Sequence, residues 1–327
     1  MTAAIRTEGL TKSYGRHRGI VGLGLEVEAG HVFGFLGPNG AGKTTTIRVL
    51  LDLIRPTSGR ALVLGLDSRR DALAIRRRCG YLPGELNLYG RLTGEETLRY
   101  FANLRGGVDP GHVRRLRERL DFDPGKKVAE LSTGNRRKLG LIQAFMHRPE
   151  LIVLDEPTVG LDPLVQHEFY HLVEEACDAG QTVFLSSHVL PEVQRVCEQV
   201  AFIREGELVA VEDVAELTGR AVREIEVTFA APVPVAAFAG VPGVTALSAD
   251  GAGAGGPAAS GALSLRLTVA GPLDAVVKRL AEFQVVTLTS REPDLEDVFL
   301  AFYGERVGHA AAEGAGRLAS GEAGDAP

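Results

Sequence analysis

The sequence predicts an α/β fold with a mostly parallel sheet, followed by a small α+β domain. Three short runs are mainly apolar and do not alternate: Val32–Leu36 (VFGFL), Leu151–Leu154 (LIVL) and Thr182–Ser186 (TVFLS). Such runs are typical of parallel strands covered on both faces, and the helical patterns between them supply the crossovers. After about Thr218 the pattern changes to alternating strands, which indicates a second domain.

Composition places the chain among globular proteins of a reducing cytosol. Its 327 residues are enough for about two domains, and its net charge of -6 argues against a nucleic-acid partner. Cys79, Cys177 and Cys197 are too few and too scattered for a disulfide framework or a Cys-rich zinc site. We expect no signal peptide, and no run of about 18 apolar residues would span a bilayer. Any membrane pore must therefore come from another chain.

A glycine-rich turn follows the first buried run. Residues 37–44 (GPNGAGKT) match G-x-x-x-x-G-K-[ST] in full, between a strand and a helix over Thr44–Leu53. Glycines let main-chain N–H groups surround a phosphate, and the following helix presents its positive end to the anion. A turn that binds nothing is the alternative, and the complete match in this context disfavours it. The expected nucleotide contacts are Gly37, Pro38, Asn39, Gly40, Ala41, Gly42, Lys43, Thr44 and Thr45.

Two of these residues have specific expected roles. Lys43 would contact the β- and γ-phosphates, and the Thr44 hydroxyl would bind Mg²⁺. Between Gly94 and Met146 the pattern is mostly helical, so we expect a helical subdomain over about residues 86–147 before the sheet resumes.

A pair of acidic residues follows the second buried run. Asp155 would lie at the end of its strand, and a P-loop ATPase needs a carboxylate at such a strand end to hold Mg²⁺. Glu156 would point the other way along an extended chain and polarise a water for attack on the γ-phosphate. An ordinary acidic start of the next helix is the alternative, and the nearby phosphate loop makes it the weaker one.

The remaining residues predict a small ferredoxin-like domain over 219–304. Strand patterns occupy Arg223–Phe229, Leu263–Val269 and Gln284–Thr289, and Pro272–Phe283 has a helical pattern. Asp250–Gly261 is a low-complexity loop, and residues 305–327 have the composition of a disordered tail. The first domain would then occupy residues 1–218.

Ordered motifs from Ile5 to Thr218 resemble the nucleotide-binding subunits of ABC transporters. Leu131–Asn135 (LSTGN) resembles the family's LSGGQ signature, and Gly160–Asp162 resembles its D-loop. His188 resembles the switch histidine, and Tyr14 resembles the aromatic that stacks on adenine. Alone, Tyr14 would be a core or rim residue and His188 a surface histidine.

The resemblance implies an ABC cassette of the P-loop NTPase fold that hydrolyses ATP with Mg²⁺. Catalysis would involve Lys43, Glu156 and His188. Ser132, Gly134 and Asn135 would contact the γ-phosphate held by a second copy, so the working unit would be a head-to-tail homodimer that also places Asp162 at the nucleotide. A separate integral membrane permease would complete the transporter, with this chain on the cytoplasmic face of the membrane.

The signature and the Q-loop depart from the family pattern. Thr133 replaces a glycine, and Asn135 replaces a glutamine but keeps an amide donor. Tyr81–Glu85 contains no Q-loop glutamine; Gly84 has no side chain to replace it, so Glu85 is the candidate metal ligand. The combination, with Glu292–Phe299 (EPDLEDVF), resembles the drug- and antibiotic-exporting branch of the daunorubicin-resistance type.

Other functions remain open at this stage. A soluble ABC ATPase acting on ribosomes or DNA is the main alternative, although the chain has a single P-loop and no long heptads. A P-loop kinase would leave the LSTGN segment and His188 unexplained. His167–His171 (HEFYH) matches the zinc-protease pattern HExxH, but no third histidine follows at the required spacing.

Overall fold

The computed structural model describes residues 3–15, 17–220, 222–250 and 262–291. Residues 251–261 of the predicted loop, the segment 292–299 and the predicted tail at 305–327 lie outside the described residues. The chain forms two compact units, one ending at Val214 and the other beginning at Ala215.

The strands of the described residues alternate with helices along most of the first unit. In chain order the strands are β1 (Ala3–Tyr14), β2 (His17–Leu23), β3 (Glu26–Glu28), β4 (Val32–Leu36), β5 (Ser58–Val63), β6 (Leu66–Asp67), β7 (Cys79–Leu82), β8 (Leu151–Asp155), β9 (Thr182–Ser187), β10 (Gln199–Arg204), β11 (Glu207–Asp213), β12 (Val222–Val233), β13 (Val244–Asp250), β14 (Ala262–Ala270) and β15 (Val285–Arg291).

The helices are α1 (Lys43–Leu50), α2 (Ala72–Arg78), α3 (Gly94–Leu104), α4 (Pro110–Arg119), α5 (Thr133–Phe145), α6 (Pro163–Asp178), α7 (Leu190–Val196), α8 (Val214–Arg220) and α9 (Asp274–Leu280). Single 3-10 turns lie at Val128–Glu130 and Val235–Ala237.

A six-stranded sheet forms the centre of the first unit. Its order is β11-β10-β4-β9-β8-β7, and every neighbouring pair is parallel except β10 with β11. All residues of β4, β8 and β9 are buried, as the three apolar runs predict. The predicted parallel core is therefore confirmed, and the carboxyl ends of its strands meet along one edge.

A second, antiparallel sheet packs in the same unit and was not predicted. Its order is β2-β1-β5-β6, with β3 also pairing with β1. Its pairings contain several register shifts, so hydrophobic alternation along β1 is interrupted and the usual strand pattern is weak. Ile5, Ile20 and Val63 from this sheet share a buried core with Phe33 and Phe184 of the central sheet.

The helices α3, α4 and α5 of the first unit each have an N-terminal cap formed by a side chain. The Thr93 side chain accepts from the Glu96 N–H and the Glu96 carboxylate accepts from the Thr93 N–H, which completes a capping box at α3. Asp109 caps α4 and Ser132 caps α5. The predicted helical subdomain is thus present, and its last helix returns the chain to β8.

The second unit is a four-stranded antiparallel sheet with α9. Its order is β13-β14-β12-β15, the strand order of a ferredoxin-like fold. Ile225, Val227, Phe229, Leu265 and Leu267 form the centre of its core. The 3-10 turn Val235–Ala237 stands between β12 and β13, where βαββαβ units have their first helix.

No helix in the described part of the chain combines the length and apolar character needed to cross a membrane.

The histidine that follows α5 gives the first unit a predicted pH dependence. Burial, with Arg105 nearby, lowers the pKa of His147 from 6.5 to about 4, and its Nε2 lies 3.2 Å from the Cys79 carbonyl oxygen. As pH falls from 6.5 towards 4, His147 becomes protonated in the unfolded chain but stays neutral in the folded chain. The free energy of unfolding should therefore fall. Urea unfolding across this range measures the effect.

His147→Gln keeps a donor for the Cys79 carbonyl and should flatten this part of the pH profile. His167→Gln, at an exposed position of α6, is the control. An unchanged slope in His147→Gln would assign the acid sensitivity to other groups.

Candidate functional site

The phosphate loop lies between β4 and α1, at the carboxyl edge of the central sheet. Gly42 has φ +109°, and a Cβ there would lie 2.6 Å from the Gly19 carbonyl oxygen. A Cβ at Gly37 would lie 2.2 Å from the Ile203 carbonyl oxygen. Both positions therefore exclude larger residues.

Lys43 begins α1 and its side chain is almost fully buried. Its Nζ donates to the carbonyl oxygens of Gly37 at 2.6 Å and Pro38 at 3.2 Å. The same nitrogen lies 3.1 Å from Oε1 of Glu156, which brings the lysine charge to the second predicted carboxylate. The structure thus brings the predicted loop and the predicted acidic pair together.

Asp155 ends β8 and has no exposed surface. Its Oδ2 accepts from the Thr44 hydroxyl at 2.8 Å, and its Oδ1 accepts from the Ser186 hydroxyl at 2.6 Å. Both oxygens of the Asp155 carboxylate therefore act as acceptors. The carboxylate of Asp155 and the hydroxyl of Thr44 are the hard oxygen ligands that Mg²⁺ prefers, so these residues fit the expected metal.

Glu156 has a left-handed backbone, with φ +50°. Its N–H donates to the Ser186 carbonyl oxygen at 3.1 Å, and its Oε2 lies 2.7 Å from Nδ1 of His188. Its Oε1 is buried and forms an ion pair with Lys43 Nζ at 3.1 Å, but no described donor makes a well-aligned hydrogen bond to it. Because non-glycine residues in this conformation are strained by about 1–3 kcal/mol, the surrounding bonds must hold Glu156 in place.

Glu192 joins the segments that carry the acidic pair and His188. Its carboxylate accepts from the Thr158 hydroxyl at 2.5 Å and from the Ser187 hydroxyl at 2.8 Å. No motif in the sequence predicts Glu192, Ser186 or Arg137 as site residues. The Ser186-Ser187-His188 run signals Ser186, whereas the other two require knowledge of which segments meet.

Tyr14 lies at the end of β1 and its side chain is 46% exposed. Lys12 Nζ lies 5.1 Å from its ring centroid. A Cβ at Gly19 would lie 3.0 Å from Tyr14 Cε2 and 3.2 Å from Thr45 Cγ2, so the ring lies close to the first turn of α1. An exposed aromatic face beside a phosphate loop has the geometry needed to stack on a base.

The signature segment starts α5. The Ser132 side chain accepts from the Asn135 N–H at 3.2 Å, and Ser132 itself is exposed. A Cβ at Gly134 would lie 2.7 Å from the Gly160 carbonyl oxygen, so this position packs directly against the D-loop of the same chain. Asp162 caps α6 by accepting from the N–H groups of Leu164 and Val165, both at 3.1 Å.

The adjacent residues Gly84 and Glu85 have different surroundings. A Cβ at Gly84 would lie 3.2 Å from Oδ2 of Asp155, whereas the Glu85 side chain is exposed. Position 84 therefore faces the acidic pair, and no described contact brings Glu85 to it. Among the described residues, no group of three or more His, Cys, Asp or Glu side chains could hold a metal ion.

The HExxH segment lies on α6. The rings of His167 and His171 are 4.5 Å apart between centroids, and Glu168 accepts from Arg119 Nε at 3.0 Å. The ion pair with Arg119 uses the glutamate that a zinc protease would need as its base. The described part of α6 therefore has the interactions of a surface helix.

Comparison with known proteins places these motifs in a family. A family model described as "ABC transporter" matches residues 20–159. The bacitracin transport ATP-binding protein BcrA of Bacillus licheniformis is 39% identical over 211 residues, which cover 64% of this chain and 69% of that protein.

A second relative is the linearmycin resistance ATP-binding protein LnrL of Bacillus subtilis (strain 168). It is 32% identical over 221 residues, which cover 66% of this chain and 71% of that protein. A solved structure of the ATP-binding subunit of an ABC transporter superposes with a TM-score of 0.61 at 27% identity. That match covers 65% of this chain and 91% of the solved chain.

Ser186→Ala tests how far the buried carboxylate depends on its hydroxyl donors. The change leaves Oδ1 of Asp155 without a donor, and we expect the free energy of unfolding to fall by about 1–3 kcal/mol. Urea denaturation measures this change. Ser58→Ala, at an exposed position of β5, should stay within about 0.5 kcal/mol of wild type. Equal stability of the two variants would contradict the structural role given to Ser186.

Proposed function

This chain belongs to the ABC transporter ATP-binding family and is an ATPase of that family, and from this premise we propose that it drives export of a small molecule. The exported compound would be a drug, an antibiotic or a lipid-like molecule, and a separate membrane permease would form its path. The approach of Lys43 to Oε1 and of His188 to Oε2 of the Glu156 carboxylate is the observation that carries the hydrolytic role.

Each residue of this group has a proposed part in hydrolysis. Main-chain N–H groups of residues 37–44 and the Lys43 ammonium hold the phosphates of ATP. Glu156 accepts a proton from the attacking water through Oε1, which has free acceptor capacity. His188 binds Oε2 and so fixes the direction of the carboxylate.

Mg²⁺ is the proposed metal, and it would neutralise charge on the β- and γ-phosphate oxygens when bound. Thr44 and Asp155 would hold it, directly or through water, because they present a hydroxyl and a carboxylate 2.8 Å apart. Glu85 remains a weaker proposal for this role, since its exposed side chain has no described contact with Asp155.

A second copy of the chain is the proposed partner at the nucleotide. Ser132 is exposed at the first turn of α5, where hydroxyl and N–H donors and the helix dipole favour an anion. A head-to-tail pair would place this turn over the ATP held by the other copy, with Gly134, Asn135 and Asp162 beside it. The exposed Tyr14 would stack on the adenine ring.

A permease on the membrane is the second proposed partner. The names of BcrA and LnrL tie those relatives to bacitracin transport and linearmycin resistance, which supports export of a similar class of compound here. We assign the ATPase cassette to residues 1–218 and an accessory domain to 219–304, at the cytoplasmic face of the membrane. The net charge of -6 does not favour a nucleic-acid partner.

Glu156→Gln should abolish turnover and keep ATP binding. Loss of the general base should lower kcat by about 100- to 10,000-fold. Gel filtration with ATP should show a larger species, because two copies that hold ATP without hydrolysing it cannot separate. Lys43→Ala should instead weaken ATP binding, and Glu174→Gln, an exposed carboxylate of α6, should leave both properties intact. Undiminished turnover in Glu156→Gln would rule out its role as the base.

Export is tested in cells that express the chain together with a candidate multi-helix membrane protein from a neighbouring gene. These cells should accumulate less bacitracin or linearmycin, and the affinity-tagged chain should co-purify with that membrane protein. Cells carrying Glu156→Gln should lose the reduced accumulation while keeping the complex. Co-purification of ribosomes in place of a membrane protein would support the soluble ABC ATPase instead.

A further inference from the structure

One buried arginine binds the backbone on both sides of the acidic pair. Arg137 lies near the start of α5 and is 4% exposed. A guanidinium group has five N–H bonds, and all five are matched by main-chain carbonyl oxygens here. The acceptors are Pro83 at 2.8 Å, Gly84 at 3.1 Å, Pro157 at 3.1 Å, Asp155 at 2.7 Å and Glu156.

These five carbonyls belong to two segments that are distant in sequence. Pro83 and Gly84 follow β7, whereas Asp155, Glu156 and Pro157 lie at the end of β8. Because the guanidinium is rigid and planar, it fixes the separation of the two segments as well as their distance from α5. A buried cation of this kind is stable only while its donors are satisfied, so the five bonds form or fail together.

The arrangement bears directly on the conformation of Glu156. The carbonyls of Asp155, Glu156 and Pro157 are all bound to Arg137, which fixes the peptide planes on both sides of the left-handed residue. That conformation places Oε1 3.1 Å from Lys43 and Oε2 2.7 Å from His188. No other described side chain binds all three of these carbonyls.

Arg137 also holds the segment that faces the metal ligand. Position 84 points at Oδ2 of Asp155 but is a glycine, so no side chain of that residue reaches the carboxylate. The main chain of Gly84 is instead held by Arg137. The same guanidinium therefore sets the distance between this segment and Asp155.

We propose that Arg137 is a positioning residue for ATP hydrolysis, holding the backbone of Glu156 in the orientation that activates water. The proposal rests on the hydrolytic function given above. None of the hydrogen bonds of Arg137 goes to the phosphate loop or to Lys43, so it acts through Glu156. It contributes to the chemical step and not to ATP affinity.

Arg105 provides a matched control for a purely structural role. Its guanidinium is partly buried and donates to the carbonyls of Arg76, Arg77 and Cys79 at 3.5, 3.4 and 3.1 Å. None of these acceptors belongs to the acidic pair. Replacement by lysine keeps a cation at either position and removes the planar set of donors.

The experiment compares Arg137→Lys and Arg105→Lys in the full chain. We expect Arg137→Lys to lower kcat by about 100-fold, because a displacement of about 1 Å at a catalytic group can have that effect. Its dissociation constant for ATP should match wild type, and Arg105→Lys should retain kcat. Guanidinium ion added to Arg137→Ala should restore part of the lost rate.

A combined variant separates the chemical step from nucleotide binding. Glu156→Gln with Arg137→Lys should form the same ATP-dependent pair as Glu156→Gln alone. Loss of that pair would assign Arg137 to nucleotide binding and overturn the proposal. So would full kcat in Arg137→Lys, or failure of both Arg137 variants to fold while Arg105→Lys folds. A wild-type chain without ATP hydrolysis would overturn the proposed function itself, which keeps the two failures distinct.

Discussion

A carboxylate with no exposed surface, Asp155, sets the arrangement on which the site depends. Its two oxygens accept hydroxyl protons from Thr44 on α1 and Ser186 on β9, while its own strand is β8. A buried carboxylate without such donors would be unfavourable by several kcal/mol. The three elements are therefore held at one fixed separation, and the phosphate loop cannot move away from the acidic pair without leaving a charge unpaired.

The parallel sheet makes this contact possible. Its strands β4, β9 and β8 are neighbours and run in the same direction. The phosphate loop, Asp155 and the Ser186–His188 segment therefore all lie at the carboxyl edge of the sheet. Complete burial of these strands leaves little freedom for them to slide. The position of the polar site thus derives from the packing of the apolar strands that end at it.

Much of the site could be predicted because its signals are local. The phosphate loop needs glycines and a lysine at fixed spacing, and the acidic pair directly follows an apolar run, so one strand and its turn contain the information. Arg137 and Glu192 were missed because each joins segments that are far apart in sequence. The antiparallel sheet was missed because its register shifts hide the alternation of β1.

The two acidic neighbours show where local reasoning was incomplete. Alternation along an extended chain predicts that Asp155 and Glu156 point in different directions, and their contacts with Thr44 and Lys43 respectively agree with that expectation. The cause is different, however, because Glu156 is in the left-handed region and leaves the strand. The sequence gives no sign of this conformation, because glutamate rarely adopts a positive φ.

Under the proposed function, the left-handed turn links the helix of the signature segment to hydrolysis. A strained residue keeps its conformation only while its neighbours hold it, and here the carbonyls around Glu156 are held from α5. The exposed Ser132 begins that same helix, five residues before Arg137. Backbone hydrogen bonds join the successive turns of α5, so a displacement of its first turn would also be transmitted to the guanidinium. Under the proposed head-to-tail pairing, a partner that contacts Ser132 would therefore influence the direction of the Glu156 carboxylate through Arg137.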